Sequence, residues 1–162
     1  MPANISLYCV PIAWLLALAP RGYSILTFNK HPKNLHKIDG AHLRTPRSFK
    51  DLVAADASIP QLYRERIIRA ECASLNGLEN LGFFAAAVGT GNAVVALGRD
   101  GMLDAWLLNR IAVAYVVSKA LYNVVFVRND TNRFVFVRTG VFMVGTAINC
   151  LLFVLAGLVL NA

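Results

Sequence analysis

The amino-acid sequence predicts an all-α integral membrane protein folded as a bundle of four helices. Hydrophobic residues make up 57% of the 162 residues and charged residues only 15%, whereas about a quarter of the residues in a soluble domain are charged. The apolar residues form four blocks, each longer than the roughly 20 residues that a helix needs to cross a bilayer. None of the blocks alternates polar and apolar residues as the strands of a membrane barrel do. A chain of this length is expected to form one domain, 1–162.

The four predicted spans cover residues 5–28, 72–97, 102–127 and 134–160. We expect the first span to be a retained anchor and not a cleaved signal peptide. No positive charge precedes it, and Pro20 would directly follow the only cleavage site that suggests itself. Pro11 and Pro20 are expected to bend this helix, which membrane helices tolerate.

The charges in the connections predict the orientation of the chain. The connection 29–71 carries nine basic and five acidic side chains, whereas the turn after the second span carries one arginine against two aspartates. By the positive-inside rule the first and third connections face the cytosol, and both termini face the lumen or the exterior. In a eukaryotic cell we expect the membrane to be the endoplasmic reticulum. The net charge of +7 comes without an aromatic–basic motif, so nucleic acid is not an expected partner.

The cysteines and histidines do not predict a disulfide framework or a metal site. The three cysteines lie far apart in or beside apolar blocks, and the three histidines lie together in the first connection without ligand spacing. We expect the cysteines to be small buried hydrophobic residues and the histidines to be solvated.

Polar side chains follow one face of the second and of the third predicted helix. At 100° per residue, each of two sets falls within a single arc. The sets are Arg69, Asn76, Glu79 and Asn80 on the second helix, and Tyr115, Lys119, Tyr122 and Phe126 on the third. Counted inward from the cytosolic ends, Glu79 lies about 12 Å and Lys119 about 13 Å along its helix. The two charges are therefore expected at the same level of the membrane.

Two interpretations of this arrangement remain open. A charge at the centre of a membrane helix costs about 2.5–3.5 kcal/mol, and an ion pair between Glu79 and Lys119 that only holds the helices together would relieve that cost. A binding site in a shared crevice is favoured, because the two polar stripes and Arg133 at the cytosolic mouth supply more donors than one ion pair requires.

Two segments resemble the MAPEG family, the membrane-associated proteins of eicosanoid and glutathione metabolism. RAECASLNGLENLGFFAAAV, residues 69–88, is similar to the family's second-helix signature of Arg, Asn and Glu-Asn before an apolar run. SKALYNVVFVRNDTNRFVF, residues 118–136, is similar to the pattern that leads into the fourth helix. The matching positions are Arg69, Asn76, Glu79, Asn80, Lys119, Tyr122, Phe126 and Arg133.

The resemblance implies a homotrimer with sites between neighbouring subunits and glutathione as co-substrate. Arg133 would then stabilise the glutathione thiolate, with Tyr122 as the second catalytic residue. The positions that would hold glutathione are Arg69, Asn76, Glu79, Asn80, Tyr115 and Lys119. The expected activity is that of a transferase or peroxidase acting on a lipophilic electrophile from the membrane.

Three departures from the family pattern keep other functions open. Lys119 replaces an arginine, Phe126 a tyrosine and Ser74 a histidine, and a lysine cannot grip a carboxylate in bidentate fashion. The departures favour an isomerase or cyclase that uses no glutathione and in which Glu79, Lys119, Tyr122 and Arg133 perform acid/base work. A non-catalytic membrane scaffold is the third hypothesis, since a Glu79–Lys119 pair can be purely structural.

Overall fold

The computed structural model describes residues 3–30, 48–98, 102–129 and 134–161. A 3-10 turn, Ser6–Tyr8, leads into helix α1, Cys9–Lys30. The remaining helices are α2, Phe49–Ala55, α3, Gln61–Ala96, α4, Ala105–Val127, and α5, Phe134–Leu160. No strand occurs in the described ranges, which confirms the all-α class.

Three of the helices are long and apolar enough to cross a membrane. These are Ser6–Lys30, Ala105–Val127 and Phe136–Leu160, and they correspond to the first, third and fourth predicted spans. Helix α3 has 36 residues and extends over about 54 Å at 1.5 Å per residue, but its apolar half carries several polar side chains. The chain is a membrane protein, and the crossing of α3 stays a prediction.

Helix α3 runs antiparallel to α1 and α4. At one end, Asn92 Nδ2 donates to Ser6 Oγ over 2.9 Å, and Asn109 Oδ1 accepts from the Ser6 backbone N–H over 2.9 Å. The start of α1, the end of α3 and the start of α4 therefore meet there. At the other end, Arg69 Nε donates to the Val127 carbonyl over 3.3 Å, which joins the first half of α3 to the last residue of α4. We call this second end the basic end, because Arg64, Arg66, Arg69 and Arg128 lie there.

The first predicted connection is partly helical. The predicted second span started at residue 72, but α3 begins at Gln61, directly after Pro60 at its N-cap. Phe49 and Val53 of α2 join Phe28, Ile59 and Ile67 in a separate hydrophobic cluster at the basic end. Hydropathy indicates where a helix enters lipid, but a helix can continue into water because its backbone hydrogen bonds are internal. The start of the apolar block and the start of the helix therefore differ. Residues 31–47 of the connection lie outside the described ranges, and so do its three histidines.

Glycine allows the closest approach between α1 and α3, the pair of helices with the most extensive contact. A Cβ atom added at Gly77 would lie 2.8 Å from Ala17 Cβ and 3.0 Å from Ala17 Cα. Small residues at this crossing let the two backbones pack tightly, as is common between membrane helices.

We expect Gly77→Ala to lower the free energy of unfolding by about 1–3 kcal/mol, the usual cost of overpacking. Unfolding by sodium dodecyl sulfate in mixed micelles measures this change. Gly89→Ala on the same helix is the matched control: its added Cβ meets nothing within 4 Å, so the better helix propensity of alanine should stabilise the chain by up to about 1 kcal/mol. Ala17→Gly should rescue Gly77→Ala. Equal effects of the two alanine substitutions would show that α1 and α3 do not pack closely at Gly77.

Candidate functional site

The centre of the helix packing holds a buried lysine surrounded by aromatic rings. Lys119 of α4 is 7% exposed, and its Nζ lies 5.3 Å from the ring centroid of Tyr115, 5.6 Å from that of Tyr122 and 5.2 Å from that of Phe142. We call Tyr115, Tyr122 and Phe142 the aromatic cage. Tyr115 and Tyr122 precede and follow Lys119 by one helical turn, so they lie on the same face of α4, and α5 supplies Phe142.

The cage holds a cation without an acidic partner. Lys119 Nζ is inaccessible to solvent and has no hydrogen-bond partner among the described residues. A desolvated cation–π contact contributes about 2 kcal/mol, so three rings offset much of the cost of burying an ammonium group. Gly145 of α5 packs beside the lysine: a Cβ added there would stand 3.5 Å from Nζ, an ordinary van der Waals contact.

The surroundings of the cage are also closed. Phe84 of α3 stacks on Tyr115 with ring centroids 3.9 Å apart. Asn149 of α5 is fully buried and lies beside Tyr115, although neither of its amide atoms reaches hydrogen-bond geometry. The cavity next to Lys119 measures about 10 Å³, which is about the space that one water molecule needs. No substrate fits between the cage and α3 in this conformation.

Glu79 lies on the outer face of α3, away from Lys119. Its side chain is exposed, and Asn76 and Asn80 beside it are half-buried. Asn80 Nδ2 donates to the Asn76 backbone carbonyl over 2.8 Å, which fixes the orientation of that amide. An ion pair between Glu79 and Lys119, the less favoured of the two interpretations of the sequence, is therefore wrong for the single chain. The two polar stripes, which were expected to share a crevice, do not line one within the described residues of the single chain.

Glu79 and Lys119 lie at the same depth along the helix bundle, as predicted, but Glu79 does not point toward Lys119. Lys119 borders its small cavity together with Gly77 and Leu81, the residues two positions before and after Glu79. Gly77 faces α1, and Glu79 lies about 200° further round the helix. The close contact of Gly77 with Ala17 sets the rotation of α3, and this rotation turns Glu79 outward.

The polar group at Glu79 is surrounded by apolar surface. Leu75 is 47% exposed, Leu78 39% and Phe83 40%. We call Asn76, Glu79 and Asn80 with these three neighbours the Glu79 face. A carboxylate facing hydrocarbon costs several kcal/mol. The predicted crossing of α3 therefore implies a polar or cationic cover for this face, which the described part of the single chain does not supply.

Glu71 is a buried carboxylate that the sequence patterns did not single out. Its side chain is 5% exposed and lies 3.5 Å from Arg21 Nη1 of α1, whose side chain is 32% exposed. Ser24 Oγ donates a hydrogen bond to the same carboxylate. The sequence did contain a signal for this pair. Arg21 lies inside the first apolar block, and an isolated charge in a membrane helix implies a partner. Glu71 lies at the edge of the second block.

Arg69 and Arg138 lie at or near the basic end. Arg69 donates to the carbonyl of Val127, which a helix C-terminus leaves unpaired, and its Nη1 lies 3.6 Å from Glu65. Arg138 of α5 stacks its guanidinium 4.9 Å from the centroid of Phe126. Arg133, the predicted thiolate-stabilising residue, lies outside the described residues, directly before α5.

Comparison with known proteins identifies the family of the chain. The model of the MAPEG family matches residues 38–158, a range that contains the aromatic cage, the Glu79 face, Glu71 and Arg133. No curated protein and no solved structure matches the chain.

Proposed function

The chain belongs to the MAPEG family, and from this premise we propose that it is a membrane-embedded, glutathione-dependent transferase or peroxidase. Its second substrate would be a lipophilic electrophile that arrives through the bilayer. The family is associated with glutathione and includes glutathione transferases. The proposal concerns this member's own activity and the residues that perform it.

The observation that carries the proposal is the polar group on the Glu79 face. A carboxylate and two amides on the surface of a membrane helix are costly unless a ligand or partner covers them. Glutathione offers an ammonium group for Glu79 and peptide groups for Asn76 and Asn80. The Asn80 amide is already oriented by its hydrogen bond to the Asn76 backbone carbonyl. The carboxylates of glutathione require cations, and Arg69 at the basic end supplies one of them. Arg133 is assigned to the thiolate.

We further propose that the site is completed between copies of the chain in a homotrimer. A neighbouring copy would cover the Glu79 face and remove the carboxylate from lipid. In this arrangement Tyr115 and Lys119 do not touch glutathione while the aromatic cage is closed. They hold α4 against α3 and α5, which is a different role from the predicted glutathione contact. Tyr122, 4% exposed, reaches the ligand only where the neighbouring copy or substrate opens the cage.

The orientation in the membrane is part of the proposal. The basic end faces the cytosol, where glutathione is available, and both termini face the lumen of the endoplasmic reticulum or the exterior. Arg64, Arg66, Arg69 and Arg128 lie at this end, in accordance with the positive-inside rule.

Calorimetric titration of glutathione into the detergent-purified chain tests the proposal. We expect saturable binding that Glu79→Gln weakens by roughly tenfold or more, because a hydrogen bond to a charged group contributes about 1.5–3 kcal/mol. Asp51→Asn, a carboxylate change on the exposed part of α2, is the matched control and should leave binding unchanged. Absence of glutathione binding, together with conversion of a lipophilic substrate without added thiol, would replace the proposal with the isomerase or cyclase hypothesis.

A further inference from the structure

A groove of about 710 Å³ lies between α1 and α4, outside the aromatic cage and the Glu79 face. Leu16 and Ala19 of α1 and Val124 of α4 contribute to its apolar walls, and Arg66 and Arg128 line it at the basic end. Among the described residues, none of the side chains that line it is acidic. The groove therefore combines a hydrocarbon-compatible wall with two cations at one end.

The floor of the groove is tied together by a side-chain hydrogen bond. Pro20 has no N–H, so the carbonyl of Leu16, four residues earlier, loses its partner within α1. Asn123 Nδ2 of α4 donates to this carbonyl over 2.8 Å. The neighbouring helix therefore supplies the hydrogen bond that this carbonyl needs inside a membrane. The bond holds α1 and α4 together at this point, and the small side chains of Ala19 and Ala120 leave space beside it.

The end of α4 places Arg128 at the level where the headgroups of the bilayer are expected, and Arg66 lines the same end of the groove. Arg128 directly follows the last residue of the membrane-capable helix Ala105–Val127. Val124, one turn earlier on α4, already belongs to the apolar wall. An occupant must carry negative charge at the bilayer surface and an apolar chain below it. In the leaflet that the charge distribution predicts to be cytosolic, acidic phospholipids have this chemistry, and basic pockets between membrane helices bind their headgroups.

We propose that this groove holds one acidic phospholipid, with its phosphate between Arg66 and Arg128 and one acyl chain along Leu16, Ala19 and Val124. The lipid would fasten α1 to α4 at the basic end. This site is independent of glutathione use, because none of its residues belongs to the Glu79 face or the aromatic cage.

Native mass spectrometry of the full chain, delipidated and then offered equal amounts of phosphatidylserine and phosphatidylcholine, tests the charge requirement. We expect retention of phosphatidylserine in preference to phosphatidylcholine. Arg66→Gln and Arg128→Gln should each lower this preference about fivefold, the effect of removing one cation near an anionic lipid. Arg110→Gln is the matched control, since Arg110 stacks on Trp106 near the start of α4 and lies outside the groove. An equal loss in Arg110→Gln would show diffuse attraction and overturn the proposal.

Filling the groove tests its shape without changing charge. Ala19→Phe should abolish phosphatidylserine retention, whereas Ala114→Phe, at an exposed position of α4 outside the groove, should not. Circular dichroism and the unfolding midpoint identify variants that fail to fold, and Val124→Phe then replaces Ala19→Phe as the filling variant. Equal retention of both lipids, or unchanged retention after filling, would overturn the proposal. A third result would also overturn the proposal. If the filling variant breaks the oligomer but keeps its preference for phosphatidylserine, the occupant of the groove is a second copy of the chain.

Discussion

Arg21→Leu is expected to lower the free energy of unfolding by about 3 kcal/mol, because it removes one partner of a buried ion pair. The carboxyl group of Glu71, 5% exposed, would then have only the hydroxyl of Ser24 as a donor among the described residues. A carboxylate that loses its cation in a low-dielectric environment bears its full desolvation cost. Unfolding by sodium dodecyl sulfate in mixed micelles measures the change.

A double variant separates charge from packing. In Arg21→Leu/Glu71→Leu no unpaired charge remains, so most of the lost stability should return. Glu65→Leu is the control on the same helix. Glu65 is exposed, pairs with Arg69 and accepts a hydrogen bond from Gln61 along the helix surface, so its loss should cost less than about 1 kcal/mol. If the double variant is less stable than Arg21→Leu, Glu71 contributes through contacts other than the ion pair.

The positions of the long helices could be predicted because apolar blocks of membrane-spanning length are a strong signal. The third and fourth predicted spans, 102–127 and 134–160, differ from α4 and α5 by at most three residues at any end. The prediction was less accurate for α3, whose first eleven residues lie among charges. Helical structure there is supported by the packing of Ile67 against α2, which hydropathy alone does not reveal.

The grouping of Tyr115, Lys119 and Tyr122 on one face could also be predicted, because helical periodicity fixes which residues of one helix lie together. Their partner could not. A helical wheel gives the faces of a single helix, whereas the rotation between helices depends on which residues pack closest. In α3 the contact of Gly77 with Ala17 determines that rotation, and it places Glu79 outside and Phe84 against Tyr115.

The ion pair of Arg21 and Glu71 shows a different limit. Both residues are visible in the sequence, but Glu71 falls among the charges of the predicted connection, where an acidic residue needs no explanation. Its burial follows from the continuation of α3 beyond the apolar block and from its packing against α1. Polar residues at the boundary of a membrane span are therefore poorly assigned until the helix ends are known.

Arg133→Ala is expected to reduce turnover with glutathione and a generic electrophile by about 100-fold at neutral pH, the effect of removing one preorganised donor from a developing anion. A free thiol has a pKa of about 8.5, and a guanidinium beside it lowers that pKa because it favours the thiolate. The wild-type chain should therefore react through a thiolate that is already formed at pH 7. Arg133 lies in the short link between α4 and α5, so its removal should leave the helix packing intact.

The dependence of turnover on pH distinguishes this role from simple binding. When the thiol pKa returns to its ordinary value, the rate of Arg133→Ala should rise as the pH approaches about 8.5, and the deficit relative to the wild type should shrink. Loss of a binding contact alone would give a deficit that does not change with pH. Arg110→Ala removes the same charge near the start of α4, where the guanidinium stacks on Trp106, and should retain the wild-type profile. A fully active Arg133→Ala variant would refute the assignment of thiolate stabilisation to Arg133.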